Sequence, residues 1–109
     1  MNVITKTPKS PYYAVIFTSQ QNDDHDGYEV MSEKMLSLVS QQTGFLGAES
    51  VRGLDQVGIT VSYWDSLESI KNWKQNLEHQ VAQKNGKERW YKNYRIRIAR
   101  VEKEYGMGG

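Results

Sequence analysis

The chain lacks several features that would point to particular classes of protein. It has no cysteine, which excludes disulfide bonds, thiol catalysis and cysteine-ligated zinc or iron–sulfur centres. No apolar run approaches the roughly 18 residues that a membrane-spanning helix needs, and a formal net charge of +1 gives no global field for attracting nucleic acid or a membrane. Residues 1–11 contain no hydrophobic signal-peptide core, so we expect a cytoplasmic protein. We predict a flexible arm at 1–11 and a single domain at 12–106.

Hydrophobic periodicity predicts four strands in the chain of 109 residues. The first strand is apolar on both of its alternating faces, and the third has one plainly apolar face. The predicted strands and the turn between the second and third are Tyr12–Ser19, Phe45–Arg52, Gly53–Gln56 (the turn), Val57–Trp64 and Trp90–Tyr105.

Two helices are predicted between these strands, and each begins at an Asp-x-x-Glu arrangement. In this arrangement side-chain oxygens accept hydrogen bonds from the free N–H groups of the first helical turn. The predicted starts and ends are Asp26 with Glu29 to Thr43, and Asp65 with Glu68 to Gly86. The apolar stripe of the first helix is Tyr28, Met31, Met35, Leu38 and Val39, and that of the second is Leu67, Ile70, Trp73 or Lys74, Leu77 and Val81.

This order of elements predicts an α+β fold, a ferredoxin-like βαββαβ unit with an antiparallel sheet and both helices on one face. Because the first strand is apolar on its second face too, we expect a second copy of the chain to cover the sheet and form a homodimer. In the last strand, Ile96 and Ile98 are at even-numbered positions and would point to one face of the sheet, whereas Val101 and Tyr105 are at odd-numbered positions and would point to the other. A bulge or a change of strand partner near residues 99–100 is therefore expected.

Four segments together carry a resemblance to a known family. They are GFLGAES (Gly44–Ser50), GITVSYWDSLESIKNW (Gly58–Trp73), EHQVAQKNGKERWY (Glu78–Tyr91) and YRIRIARVEKEYG (Tyr94–Gly106). These segments resemble the antibiotic biosynthesis monooxygenase domain, which belongs to the dimeric α/β-barrel superfamily. The resemblance implies that two antiparallel sheets pack into a dimeric α/β barrel, with a pocket between the sheet and the second helix of each subunit.

The resemblance implies three functions that remain open at this point. The first is oxygenation of a small planar aromatic or quinone-like substrate without a metal or flavin. In that function His79 is the candidate base. The residues assigned to substrate binding are Trp64, Trp73, Gln83 and Arg97, the last as partner of an anion or phenolate. The second function is haem binding or haem degradation, and the third is a non-enzymatic ligand-binding or stress-response dimer.

Haem-degrading members of the family carry an asparagine on the first strand, a tryptophan on the second helix and a histidine ligand further along that helix. Trp73 matches the tryptophan, but no asparagine occurs in Tyr12–Ser19. The position expected for the histidine, about ten residues beyond the tryptophan, is Gln83, and His79 lies one helical turn earlier. The chain departs from the haem-degrading pattern at these positions.

Each candidate feature also has a plainer interpretation. His79 is also consistent with a structural role between the helix end and the last strand, and clustered tryptophans are typical of core packing. Seven of the fourteen Lys and Arg residues fall between Lys84 and Arg100. This run suggests an anion site or a nucleic-acid strip, or else a solvated strand edge with ion pairs to Glu102 and Glu104 at a dimer interface. However, the third strand lacks the basic-Gly-aromatic-Gly-aromatic motif of the RNA-recognition fold, and we predict no nucleic-acid partner. The acids at 23–26 precede a helix, where they favour its N-terminal dipole rather than a metal.

Overall fold

In the computed structural model, which describes residues 4–22, 28–81 and 91–107, four strands and two helices follow one another in the predicted order βαββαβ. For residues 28–31 and 78–81 the backbone alone is described. The elements are β1 (Tyr12–Gln21), α1 (Tyr28–Ser40), β2 (Phe45–Arg52), β3 (Val57–Trp64), α2 (Leu67–Val81) and β4 (Tyr91–Val101).

The strands form one antiparallel sheet in the order β2-β3-β1-β4. Each helix joins two strands that are not neighbours, which is the connectivity of the ferredoxin-like split βαβ unit. The predicted α+β fold is therefore confirmed. No helix in the described ranges is long and apolar enough to cross a lipid bilayer.

The two faces of the sheet differ in what covers them. Residues directly opposite each other in paired strands point to the same face. We call the face with Trp64 the helix face, because Trp73 of α2 stacks on that indole with ring centroids 6.4 Å apart. A row is a set of four residues directly opposite one another, one each from β2, β3, β1 and β4. The rows of the helix face are Arg52–Gly58–Ser19–Tyr94, Ser50–Thr60–Phe17–Ile96, Ala48–Ser62–Val15–Ile98 and Phe45–Trp64–Tyr13–Arg100.

The other face, which we call the open face, is partly apolar. Its rows are Val51–Ile59–Thr18–Arg95, Glu49–Val61–Ile16–Arg97 and Gly47–Tyr63–Ala14–Ala99. β1 therefore carries apolar side chains on both faces, as its sequence predicts. On the open face Tyr12 and Ala14 are buried, whereas Val51 and Ile59, which are directly opposite each other, are exposed.

The expected bulge near residues 99–100 is not found. β1 and β4 pair regularly there, with Ala14 opposite Ala99, and their register shifts instead between Gln20 and Gln21. The strand ends at Val101, so Tyr105 lies beyond it and is 92% exposed. The change of parity in the sequence therefore marks the end of the strand. Trp90, the predicted first residue of this strand, lies outside the described residues.

The start of α2 differs from the prediction by one residue. The Ser66 hydroxyl, not the Asp65 carboxylate, accepts the hydrogen bond from the backbone N–H of Ser69, at 3.1 Å. The backbone N–H of Asp65, which Glu68 would bind in a capping box, donates instead to the carbonyl of Gly44, at 2.9 Å. The carboxylate of Asp65 accepts a hydrogen bond from the Ser69 hydroxyl at 2.9 Å. The helix is thus capped by Ser66. The Asp26–Glu29 pair predicted for α1 lies outside the described side chains.

The apolar stripe of α2 is confirmed only in its middle. Ile70 is buried and Trp73 and Leu77 are half-buried, whereas Lys74 is exposed, so the tryptophan occupies the stripe. Leu67 is exposed because it is the first residue of the helix and precedes the turn that reaches the sheet. Helix α1 ends at Ser40, before the predicted position.

Candidate functional site

Trp64 and Trp73 lie in contact between α2 and the helix face, but with different burial. Trp64 is fully buried, with its ring edge-on to Phe45 at 5.4 Å and stacked on Trp73 at 6.4 Å. Its indole N–H donates to the hydroxyl of Ser62 at 2.9 Å. The packing of Trp64 is therefore that of a core residue. Trp73 is half-buried, so part of its indole borders the space beside the helix.

Hydroxyl side chains cover the helix face beyond the tryptophans. The Ser50 and Thr60 hydroxyls are 2.8 Å apart on adjacent strands, and Ser62 lies one row nearer to Trp64. Ser19 is buried in the next row on. We call the four hydroxyl side chains of Ser19, Ser50, Thr60 and Ser62 the hydroxyl-lined floor. Together they offer several hydrogen-bond donors and acceptors to a ligand that carries oxygen atoms.

An aromatic cluster lies on the helix face where β1 and β4 pair. The Phe17 ring is 5.4 Å from Tyr91 and 5.6 Å from Tyr94, and the two tyrosine rings are 6.2 Å apart. Along β4, Tyr94, Ile96 and Ile98 point to the same face and are 41%, 44% and 52% exposed. This strip is an accessible flat apolar surface suited to a planar ring.

Arg52 is a site residue that sequence reasoning did not find. Its Nη1 donates to the carbonyl of Gln56 at 2.7 Å, and its Nη2 donates to the hydroxyl of the buried Ser19 at 3.1 Å. The side chain thereby lies over Gly58 on the helix face. The only local signal is a basic residue at a strand end with a glycine early in the next strand; the partner on β1 is 33 positions away.

The structure does not bring all predicted site residues together. Trp64 and Trp73 are in contact, and His79 belongs to α2, although its side chain lies outside what is described. Gln83 lies outside the described residues altogether. Arg97 is directly opposite Ile16 on the open face, so the sheet separates it from the two tryptophans.

A second polar cluster occupies the open face, around Glu49. Its carboxylate accepts a hydrogen bond from the Tyr63 hydroxyl at 2.6 Å and another from the backbone N–H of Thr5 at 3.0 Å. Burial raises the pKa of Tyr63 well above its usual range, and the hydrogen bond to Glu49 adds to this rise. The neutral phenol is therefore the form that this environment stabilises.

The segment before β1 contacts the open face at two points. The Thr5 hydroxyl donates to the carbonyl of Ala48 at 3.1 Å, and the Thr7 hydroxyl lies 3.0 Å from that of Tyr12 and donates to Glu104 at 2.9 Å. Burial raises the pKa of Tyr12, an effect that the hydrogen bond with Thr7 opposes and the nearby Glu104 reinforces. Residues near the amino terminus therefore cover this end of the open face.

The described side chains do not form a metal centre. Within residues 4–22, 28–81 and 91–107, no three His, Cys, Asp or Glu side chains come together to hold an ion. β1 has no asparagine over its whole length, Tyr12–Gln21, so the asparagine expected of a haem-degrading member is missing from the complete strand. The indole of Trp64 fills the space on the sheet side of Trp73. These residues do not fit the haem-degrading pattern.

Comparison with solved structures finds the same fold in other proteins. Over 90% of its length the chain is similar to the crystal structure of PA3566 from Pseudomonas aeruginosa, with a TM-score of 0.65, 16% identity and 99% of that chain covered. It is also similar to SnoaB, a cofactor-independent oxygenase from Streptomyces nogalater, with a TM-score of 0.63, 10% identity, and coverage of 92% of this chain and 100% of that chain. Identities this low support the fold alone.

Sequence comparisons identify the family. The uncharacterized protein YqjZ of Bacillus subtilis (strain 168) is 48% identical over 104 residues, which cover 95% of this chain and 91% of that protein. Residues 11–85 match the family model described as antibiotic biosynthesis monooxygenase. The match spans more than half of the chain, including strands β1, β2 and β3 and the Trp64–Trp73 pair. The chain therefore belongs to the antibiotic biosynthesis monooxygenase family.

Proposed function

We propose that this protein is a monooxygenase that acts on a small planar aromatic or quinone-like substrate without a bound metal or flavin. The observation that carries the proposal is the helix face, where a hydroxyl-lined floor lies between half-buried Trp73 and the Phe17–Tyr91–Tyr94 cluster. Apolar surfaces with a few convergent polar groups are typical of sites for planar organic ligands. The family membership and the description of SnoaB as a cofactor-independent oxygenase support the reaction type.

The proposed reaction requires only a few contributions from the protein. A base removes a proton from an electron-rich substrate, and the resulting anion reacts with dioxygen. When a ring CH₂ becomes C=O, one oxygen atom stays in the product and the other leaves as water with the two hydrogens. The protein supplies the base, orientation and exclusion of bulk water. His79 is the proposed base, because histidine titrates near neutral pH and this one belongs to the helix that carries Trp73. Gln83 follows on the same segment and is proposed as a further ligand contact.

We also propose that the protein is a homodimer formed through the open face. Val51 and Ile59 are directly opposite each other on this face and are 69% and 46% exposed. Apolar pairs of this kind are commonly covered by a symmetric partner. The contacts of Thr5 and Thr7 lie toward the other end of the same face, which leaves this pair available to a second copy. Sheet-against-sheet packing of two such faces is the arrangement of a dimeric α/β barrel.

Oxygen uptake tests the proposed reaction. We expect the purified protein to consume dioxygen with hydroxylated anthrones or quinols, and His79→Ala to reduce the rate by about 100-fold or more, the usual contribution of a general base. His25→Ala, which removes the chain's other histidine, is the matched control and is expected to retain the rate. Uptake no faster than that of His79→Ala with every such substrate would refute the proposal. Titration with hemin separates the haem alternative, which requires a Soret shift that His79→Ala abolishes.

A further inference from the structure

Arg52 is a cation held in a fixed position without a carboxylate partner among the described residues. A guanidinium has five N–H donors, and Arg52 gives one to Gln56 and one to Ser19, so three are left over. Both acceptors are neutral, so the positive charge is oriented but not neutralised. Such a group is suited to accept a negatively charged partner with little cost in side-chain ordering.

The position of the guanidinium depends on the absence of a side chain at residue 58. A Cβ built on Gly58 would lie 2.6 Å from Cζ of Arg52, closer than two carbon atoms can approach. Any other residue at this buried position would push the guanidinium away from Ser19. Gly58 therefore provides the space in which Arg52 lies flat over the sheet.

The aromatic cluster lies next to this charge. Ser19, which holds the guanidinium, is directly opposite Tyr94, and neighbouring strands are separated by about 4.8 Å. The Tyr94 ring, 5.6 Å from that of Phe17, is 41% exposed. A planar ring lying on Tyr94 would therefore place a substituent on its edge within reach of Arg52.

From this arrangement we infer that Arg52 binds a carboxylate carried by the planar aromatic ligand, at the end of the helix face where β2 finishes. The inference rests on the proposed function and narrows its substrate class to aromatic carboxylic acids. The alternative is that Arg52 only holds the β2–β3 turn through the Gln56 carbonyl. A residue with that structural role alone would not distinguish an acid from its neutral amide.

The test compares 1-hydroxy-2-naphthoate with 1-hydroxy-2-naphthamide, which have the same ring but differ in charge. We expect fluorescence titration of the wild-type protein to show about tenfold tighter binding of the acid, as for a charge-assisted hydrogen bond in a partly exposed site. Arg52→Gln is expected to bring the ratio of acid to amide affinity to about one while leaving amide binding unchanged. Gly58→Ala retains the charge but displaces it, so the same ratio should fall.

Arg100→Gln is the matched control, because it makes the same change of charge on β4, about 20 Å further along the strand direction and three strands across the sheet. It is expected to keep the wild-type ratio. Circular dichroism establishes whether each variant is folded. If Arg52→Gln is not folded, the ratio of acid to amide affinity measured for Gly58→Ala decides whether Arg52 binds the carboxylate. Equal affinity for acid and amide in the wild type, or a ratio that survives both site variants, would overturn the role of Arg52 alone. Failure of both probes to bind would overturn the planar-aromatic site and this inference with it.

Discussion

The hydrogen bond between Tyr63 and Glu49 is expected to stabilise the protein by an amount that decreases as the pH rises. Tyr63→Phe removes the hydroxyl that lies 2.6 Å from the Glu49 carboxylate and leaves the carboxylate with the backbone N–H of Thr5 at 3.0 Å. A hydrogen bond to a charged group contributes about 1.5–3 kcal/mol. Because the pair is partly shielded from water, we expect Tyr63→Phe to lower the free energy of unfolding at pH 7 by about 1.5–3 kcal/mol.

The difference should shrink at high pH. In the unfolded chain a tyrosine ionises at about pH 10, whereas burial and the bond to Glu49 raise the pKa of folded Tyr63 above that value. Above pH 10 the folded wild type keeps a proton that the unfolded chain loses, so its stability, fully present below that pH, falls by up to about 1.4 kcal/mol per pH unit. The phenylalanine variant lacks this term. Because Tyr63 is partly exposed, solvent screening reduces the difference between its pKa in the folded and unfolded chains. A smaller difference narrows the pH range over which the stability falls.

Urea unfolding followed by circular dichroism at fixed protomer concentration, from pH 7 to 11, measures both effects. Tyr105→Phe is the matched control, because Tyr105 is 92% exposed and lies beyond the last strand. It should change the unfolding free energy by less than about 0.5 kcal/mol. A stabilising role for the Tyr63–Glu49 hydrogen bond would be contradicted if Tyr63→Phe lowered the unfolding free energy no more than this control at pH 7. The pH dependence would be contradicted if the destabilisation were the same at pH 11 as at pH 8.

Three further predictions concern the backbone and the open face. Gln56 has a φ of 68°, so Gln56→Gly, which keeps the carbonyl that binds Arg52, should stabilise the protein by about 0.5–1 kcal/mol in thermal unfolding. Ser66→Ala should lower the unfolding free energy by about 1 kcal/mol and Asp65→Ala by less, because Ser66 is the observed cap; the reverse order would contradict the cap. Ile59→Glu should convert the proposed dimer to a monomer in light scattering, whereas Leu54→Glu, on the fully exposed turn, should not.

Much of the fold follows from local patterns. Alternation in Val57–Trp64 and the apolar stripe around Ile70 and Trp73 depend on residues within a few positions of each other, and both were confirmed. The capping box predicted for Asp65 and Glu68 does not form, because the backbone N–H of Asp65 that Glu68 would bind donates to Gly44 from another segment. A pattern confined to one helix start contains no information about such a partner.

The candidate site depended more on tertiary structure. The sequence by itself determined the family, through the motifs of four segments, and the order of the elements, through periodicity within each short stretch. Only the tertiary structure showed that Trp64 and Trp73 are in contact. Only the register of the sheet decided that Arg97 lies on the open face and that Arg52 reaches Ser19 on the helix face. A shift of one residue in strand pairing would reverse these faces. Register is set by the packing of all four strands together, and so the charge beside the aromatic surface could be found only in the folded chain.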